Sequence, residues 1–507
     1  MLTGTKKVIK VIVILFLSVT VILQSCKKKR SDMGKILFQK TKNKVFNDVD
    51  PDSLTEVFKK VLAEDKSKLN YPQVLAAHYS KNGYDPVFVM DHIFNKDLTS
   101  AVGYFKRANE HGLNPELFKA DEINKLINKF FDPKQIKTVD DAYRAIAELE
   151  IFTANSLIRY SNAIEYGVIN PKYIYARYYT ATQRPDSNAI AKVFAITDMK
   201  HYLDSIQPKD SAYIAMQKQL ASGAVAEGMS AEETKRFIVL NLERLRWKNK
   251  PKEKRYVIVN IPDYKLDVID SGRSVLNMKV CVGQGRNMDG EKTLMNYVDT
   301  DKMDNPNRHS TPQLNSMIHS VEVNPIWNIP KSIATKEIIV AAADDKFYLD
   351  NKGISVYKHG KLVDPDDIDW STAEKEDYDF KQQPGDNNSL GKIKFLFNNQ
   401  SSVYLHDTPA KDAFRKRMRA VSHGCVRLGD PQGLALRLFG AGKKYDTIAE
   451  DMGMDNPEPT TINLRPKVPV YITYVTGWVD PADGSLQVRP DVYGLDIVLY
   501  NALANVK

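Results

Sequence analysis

At 507 residues the chain is too long for one hydrophobic core, so two or three domains are expected. Apolar residues make up 43% and charged residues 27%, a globular balance that excludes a disordered or fibrous chain. The net charge of +9 is concentrated at one end: residues 1–30 hold Lys6, Lys7, Lys10, Lys27, Lys28, Lys29 and Arg30 and no acid, so the remainder carries only +2 and offers no basic domain to nucleic acid.

The N-terminus reads as an address. Lys6, Lys7 and Lys10 precede or enter an apolar run, Val8 to Leu23, of sixteen residues, which is short for a membrane span. Leu23-Gln24-Ser25-Cys26 then resembles a lipoprotein cleavage site with Cys26 as the lipidated first residue. Gln24 is not the usual small residue there, which leaves an uncleaved anchor as the alternative. Either way, residues 1–26 predict export to the periplasm and attachment to a membrane, with the cluster 27–30 near lipid headgroups. Residues 27–50 are polar, lack periodicity and read as a tether.

Helical signals dominate 51–250. Ser53 with Glu56 makes a capping box before Leu54, Val57, Phe58, Val61 and Leu62 on one face. A long helix starts near Thr138, runs through Tyr143, Ile146, Leu149, Phe152 and Leu157, and stops at Gly167. Ser230 with Glu233 caps another, carrying Phe237, Leu240 and Trp247. From Arg255 the pattern changes to strands, with Tyr256–Ile261 and Tyr264–Ile269 followed, after Asp270-Ser271-Gly272, by Ser274–Val282. The fold class expected is α+β: a mostly helical N-terminal domain over 51–250, then a β-sandwich-like domain over 251–445. Between Ile329 and Phe395 the chain is polar and irregular with an acidic run over 364–379, and a structureless stretch of that length inside a domain is usually functional. Gln432–Leu438 reads as helix, and over 446–507 Val468–Val475 and Leu486–Leu499 read as strands that finish a sheet or pack back on the helical domain.

Only three cysteines exist, which excludes a disulfide framework. Cys281, within Val280-Cys281-Val282, reads as a core residue. Cys425 does not. It follows Gly424 and lies two residues after His423, with His406 nineteen positions upstream at the end of the short apolar run Val403-Tyr404-Leu405. A thiol with its ordinary pKa near 8.5 is only about 3% thiolate at pH 7. A histidine in hydrogen-bond reach can take the proton and hold the thiolate as an ion pair. Gly424 lets the backbone approach a substrate, and the amides around Cys425 can then face an oxyanion. From spacing alone, a zinc site of His406, His423 and Cys425 and a packed, inert thiol remain open beside nucleophilic catalysis.

Ser422-His423-Gly424-Cys425-Val426-Arg427, preceded by Leu405-His406-Asp407-Thr408-Pro409, resembles the signature of the L,D-transpeptidases of bacterial cell walls. Ordered blocks extend the likeness to the large, lidded, periplasmic kind: Thr311-Pro312, Asn324-Pro325-Ile326-Trp327-Asn328-Ile329-Pro330, Gln383-Pro384-Gly385, Asn388–Lys392 and Lys394-Phe395. Asn82–Pro86, Glu110–Pro115, and Tyr160 with Glu165-Tyr166-Gly167 resemble the helical scaffold domain that precedes catalysis in that family. One departure stands out. Gln219–Met229 leaves no room for the small peptidoglycan-binding module that many relatives insert after the scaffold.

The resemblance implies a thioester mechanism without metal or cofactor, in which donor and acceptor peptidoglycan stem peptides are joined by a 3→3 cross-link, and acylation by carbapenems. It makes Cys425 the nucleophile and His406 the general base, oriented by a backbone carbonyl that Asp407 would supply. His423 lines the site and is the rival base, and the Asp407 side chain is an alternative third member. Arg427 would fix a substrate carboxylate bidentately. Ser422, Tyr404 and Trp327 are expected at the substrate, and the segment of about 330–395 is expected to form a lid. The basic run Lys411, Arg415, Lys416, Arg417 and Arg419 would attract anionic stems. A cysteine peptidase or L,D-carboxypeptidase that only hydrolyses wall peptides, and an inactive wall-binding or zinc-binding protein, are the competing classes.

Overall fold

The structure, a computed structural model, describes residues 32–285, 309–372, 377–454 and 457–506. Cys26, the apolar run before it and the cluster 27–30 lie outside the described residues. Among the described residues no helix is long and apolar enough to cross a membrane.

From residue 32 onward the segment read as a tether is folded. Helix α1 (Met33–Thr41) and a 3-10 turn, Lys44–Asp48, bury Met33, Leu37 and Phe46, and the Phe46 ring meets Phe130 at 5.0 Å. Gly34 permits the packing, because a Cβ there would lie 2.6 Å from the Phe46 carbonyl oxygen. Three buried side chains in sixteen residues are too sparse to show as periodicity, so tertiary contact decides this segment. Helix α2 (Pro51–Glu64) starts earlier than the capping box predicted. Asp50 is its cap, accepting from Ser53 N at 2.8 Å, and Pro51 occupies the first turn, where no amide is needed.

Helix α3 (Val139–Tyr166) is the axis of the helical domain: 20 of its 28 residues are buried, so neighbours surround it on all sides. Thr138 and Asp141 close the capping box at its start, and Gly167 ends it. At its centre the buried Glu150 accepts from Tyr79 Oη (2.7 Å) and Val89 N (2.9 Å), and burial pushes its carboxyl up to about 7. Helix α4 (Ser211–Ser222) leads through a short turn to α5 (Ala231–Arg246), which Ser230 caps by accepting from Glu233 N.

The second body is a ten-stranded mixed sheet built from β1 (Tyr178–Tyr179), β2 (Arg255–Asn260), β3 (Lys265–Asp270), β4 (Arg273–Gly283), β5 (Gln313–Val323), β10 (Ile393–Phe397), β11 (Leu405–His406), β12 (Ala420–Ser422), β13 (Val426–Leu428) and β14 (Thr460–Thr473). Its order is β1-β5-β10-β11-β13-β4-β3-β2-β14, and β14 also pairs with β5, so the layers of the expected sandwich join into a closed sheet. Val257, Leu266, Val280, Ile318, Val321, Phe395, Leu405, Val426 and Val470 fill the interior. Helices α6 (Pro431–Phe439) and α7 (Lys443–Met452) cover one side through Leu434, Leu438 and Ile448.

Two readings change. The stretch read as irregular over 329–395 is a small folded unit: β6 (Trp327–Asn328), β7 (Ile354–Lys358), β8 (Lys361–Val363) and β9 (Tyr378–Gln382) form a separate sheet in the order β6-β9-β7-β8, against a helical run over 331–344. Its own core holds Ile338, Leu349, Val356, Trp370 and Phe380. The acidic residues that masked it sit on turns, where Asp364 and Asp369 accept from backbone amides two residues on; Glu374 and Glu376 lie outside the described residues. The closing run Leu486–Leu499 is not all strand. Leu486–Val488 pairs with Gly477–Val479, and Leu495–Ala504 is a helix, α8. An unbroken apolar run such as 497–499 fits either state by pattern, and packing on Phe237, Leu240 and Trp247 of the helical domain selects helix. The buried Arg244–Asp496 pair (2.5 Å) joins α5 to α8.

Candidate active site

Alternation along neighbouring strands builds the site. Leu405 pairs with Val426 and both point into the core, so Tyr404 and His406 from one strand, and Cys425 and Arg427 from the other, share the outer face. The ladders extend that face into a row: Glu322, Lys394, His406, Arg427 and Cys281 are successive cross-strand partners. Cys281 is thus buried, but on the site's side of the sheet and beside Arg427 rather than among the core valines.

Cys425 stays partly exposed at the start of β13. Its sulfur accepts from the backbone amide and the phenol of Tyr404, and the Trp327 indole N–H donates to that phenol oxygen. Burial pushes the Cys425 thiol up to about 11, against those hydrogen bonds and the charges of Arg427 and Lys394. His406 is buried, with Nδ1 2.5 Å from the Asp407 carbonyl oxygen and its ring 5.6 Å from that of Tyr404. Burial, then the Arg427 charge, holds its imidazole down at about 4. Burial and the Arg427 charge disfavour the imidazolium and burial disfavours the thiolate, so both shifts run against the resting ion pair expected from the sequence.

The other candidates separate by what they touch. His423 is turned outward: its Nε2 lies 2.6 Å from Glu337 Oε1, and its ring stands 4.5 Å from that of His309. Glu337 sits on a π-helical turn, Ala334–Ile338, of the small folded unit, which thereby touches the His-Gly-Cys turn. The Asp407 side chain faces away from His406: Oδ1 meets Lys411 Nζ (2.5 Å) and Oδ2 accepts from Lys392 N (3.0 Å). As a third member of a triad it is corrected; only its carbonyl reaches the ring. Ser422 is a strut rather than a substrate contact, since its buried Oγ donates to Cys425 O (2.6 Å) and accepts from Gly424 N (3.1 Å). Arg427 lies between thiol and imidazole electrostatically, and its Nε has no hydrogen-bond partner among the described residues. In the basic run, Arg419 is buried on the Val280 and Tyr264 carbonyls, so only Lys411, Arg415, Lys416 and Arg417 face solvent. Among the described residues no group of three metal-binding side chains converges.

Sequence reasoning missed the clamp beneath the turn. Gly424 has φ 118°, a conformation that favours glycine, and its carbonyl accepts from Thr311 Oγ1 at 2.8 Å. The same oxygen of Thr311 accepts from Gly283 N (2.8 Å), while Tyr493 Oη donates to Gly283 O (2.9 Å) and accepts from Thr311 N (3.1 Å). Four segments far apart in sequence meet there. Thr311-Pro312 was visible only as a motif fragment, and nothing marked Tyr493. Thr311→Val keeps the shape but removes both hydroxyl bonds. It should slow acylation of Cys425 roughly tenfold, the scale of one or two lost buried hydrogen bonds, while the melting temperature falls by only a few degrees. Intact-mass kinetics with a carbapenem would measure it, and an unchanged rate would remove the clamp from the chemistry.

Residues 254–441 match the L,D-transpeptidase catalytic domain (YkuD), and residues 73–220 match the Scaffold domain. A protein of Haemophilus influenzae named "Putative L,D-transpeptidase" is 28% identical over 327 residues, 64% of this chain and 61% of its own length. The chain thus spans about 61% of that relative. Among solved structures, an L,D-transpeptidase from Mycobacterium smegmatis is 12% identical, with 43% of this chain and 58% of that one covered and a TM-score of 0.20. The Ldtfm–avibactam carbamoyl enzyme is 10% identical, with 48% and 61% covered and a TM-score of 0.19. The two matches place a helical scaffold domain before a mostly β catalytic domain, the order the fold shows. The chain thus carries an L,D-transpeptidase catalytic domain over 254–441, preceded by a scaffold domain over 73–220.

Proposed function

We propose that this protein is a peptidoglycan L,D-transpeptidase that works through a thioester on Cys425. The observation that carries the reading is the shared sheet face: Tyr404 and His406 on one strand, Cys425 and Arg427 on the next, with Cys425 as a residue only partly buried. Arg427 pairs with a carboxylate of the donor stem. As the sulfur attacks the carbonyl of the stem's third, diamino residue, its proton passes to His406, whose orientation Asp407 O maintains. The Cys425 amide, which has no hydrogen-bond partner among the described residues, receives the oxyanion. Collapse breaks the amide to the terminal D-alanine, which leaves with the proton from His406. A side-chain amine of a second stem then gives its proton to His406 and attacks the thioester; the thiol is released and reprotonated as a 3→3 cross-link forms.

The small folded unit over 327–382 acts as the lid, with Glu337 on His423 as its latch. Export to the periplasm and attachment to a membrane through Cys26 or an uncleaved apolar segment complete the reading, which the sequence of residues 1–30 supports. The test is product analysis by mass spectrometry of purified disaccharide-tetrapeptides incubated with the enzyme. Dimers lacking one D-alanine are expected. Tripeptide monomers alone, even with excess amine acceptor, would mean a carboxypeptidase.

A further inference from the structure

Where the scaffold meets the segment leading into β2, a cavity of 440 Å³ opens. Lys209, Lys248, Lys250 and Lys252 line it together with Arg246, opposed only by Glu165 and Asp210. Asp210 is already engaged, pairing with Lys250 at 2.8 Å and capping α4. Among the described residues, Lys209, Lys248 and Lys252 make no ion pair within 4 Å. Arg246 is buried and already paired with Glu243 at 2.7 Å, so the charge left unpaired belongs to Lys209, Lys248 and Lys252. Three such lysines focus a positive potential into a concave wall, which suits an anion with several carboxylates.

The cavity is physically tied to the thiol. Arg177 donates to the Ser310 carbonyl, next to the Thr311 clamp; the chain then pairs as β1 with β5, and Gln183 pairs with Lys248 at the cavity. Arg177 and Gln183 are six Cα steps apart, so along this segment the two places lie at most about 20 Å apart, at ~3.3 Å a step. The chain also passes from α4 to α5 through residues 223–230 alone, which leave no room for another module at that point.

On the transpeptidase reading, we infer that this cleft is a second wall-binding site, which holds the carboxylates of a neighbouring, non-reacting stem of the same polymer while Cys425 works on another. Two linked contacts raise the effective concentration of the reacting stem. The test compares the full chain with K209E/K248E/K252E on a single soluble tetrapeptide stem and on a glycan strand carrying several stems. The ratio of polymer rate to single-stem rate should fall about tenfold. K209A/K248A/K252A, which adds no acid, should move it less in the same direction, and melting temperatures report folding. An unchanged ratio overturns the inference.

Pelleting of the Cys425→Ala protein with purified wall polymer judges the cleft independently of catalysis. Loss of pelleting on adding the three charge reversals supports the second site, and equal pelleting overturns it even if cross-linking proceeds. If the wild type makes no dimers yet the reversals abolish pelleting, the transpeptidase reading fails and the cleft stands.

Discussion

Cys425→Ala is expected to lose dimer formation by about 10⁵-fold or more, to the background of the assay, the scale seen when a covalent nucleophile is removed. Among the described residues no other thiol is placed to substitute. Cys281 is the remaining described thiol, but it is fully buried beside Arg427, and burial pushes its thiol up. The loss must be chemical rather than structural. Cys425 contacts the core only partly, so truncation to alanine should cost about 1 kcal/mol and leave the melting temperature within a few degrees. Two readouts separate these cases. The wild type should gain the mass of an acyl adduct from donor stems, and equally from a carbapenem; the variant should gain neither while still binding donor. Dimers formed by Cys425→Ala at more than a small fraction of the wild-type rate would falsify the thioester mechanism.

What the sequence revealed and what it hid divide along contact range. The long helix α3, with Thr138 at its start and Gly167 at its end, is legible because cap, periodicity and stop are all local. The β2–β4 hairpins are legible for the same reason. The closeness of His406 to Cys425 comes from a motif, not from spacing, since only the parallel β11–β13 pairing brings nineteen residues back to one face. Glu337 against His423 joins groups 86 positions apart, and Tyr493 against Gly283 joins groups 210 apart, so no local pattern carries either. The small folded unit was hidden for a different reason. Its strands are two to five residues long beside an acidic run, so its core is spread thinly between charged turns. The Asp407 side chain was overread. A carboxylate next to a catalytic-looking histidine suggests a triad, but Lys411 and the Lys392 amide claim both of its oxygens.

Replacement of His406 should have the next largest effect and the most diagnostic pH profile. With the imidazole held at about 4 and the thiol at about 11, the pair rests uncharged across the neutral range, and acylation depends on His406 accepting the proton during attack. The wild-type kcat/KM should rise with pH through about 4 and then stay flat through neutrality. His406→Gln removes the base, which should lower the rate at pH 7 by about 10³-fold. The residual rate should then climb about tenfold per pH unit toward 11, since only thiolate formed by simple ionisation can react. The same residue predicts a stability change whose sign follows from the direction of its shift. The folded value lies below the ordinary 6.5, so the unfolded chain binds the proton more readily. Stability is full above pH 6.5 and is lost as pH falls through 4, by about 3 kcal/mol at most for a shift of that size. His406→Gln has no proton to gain, so its urea midpoint should fall less between pH 7 and 4.5 than that of the wild type. Alkylation by iodoacetamide checks the resting state directly. If the wild-type thiol reacts quickly and without pH dependence above about 6, the sulfur is already a thiolate paired with an imidazolium, and activation during attack is the wrong account.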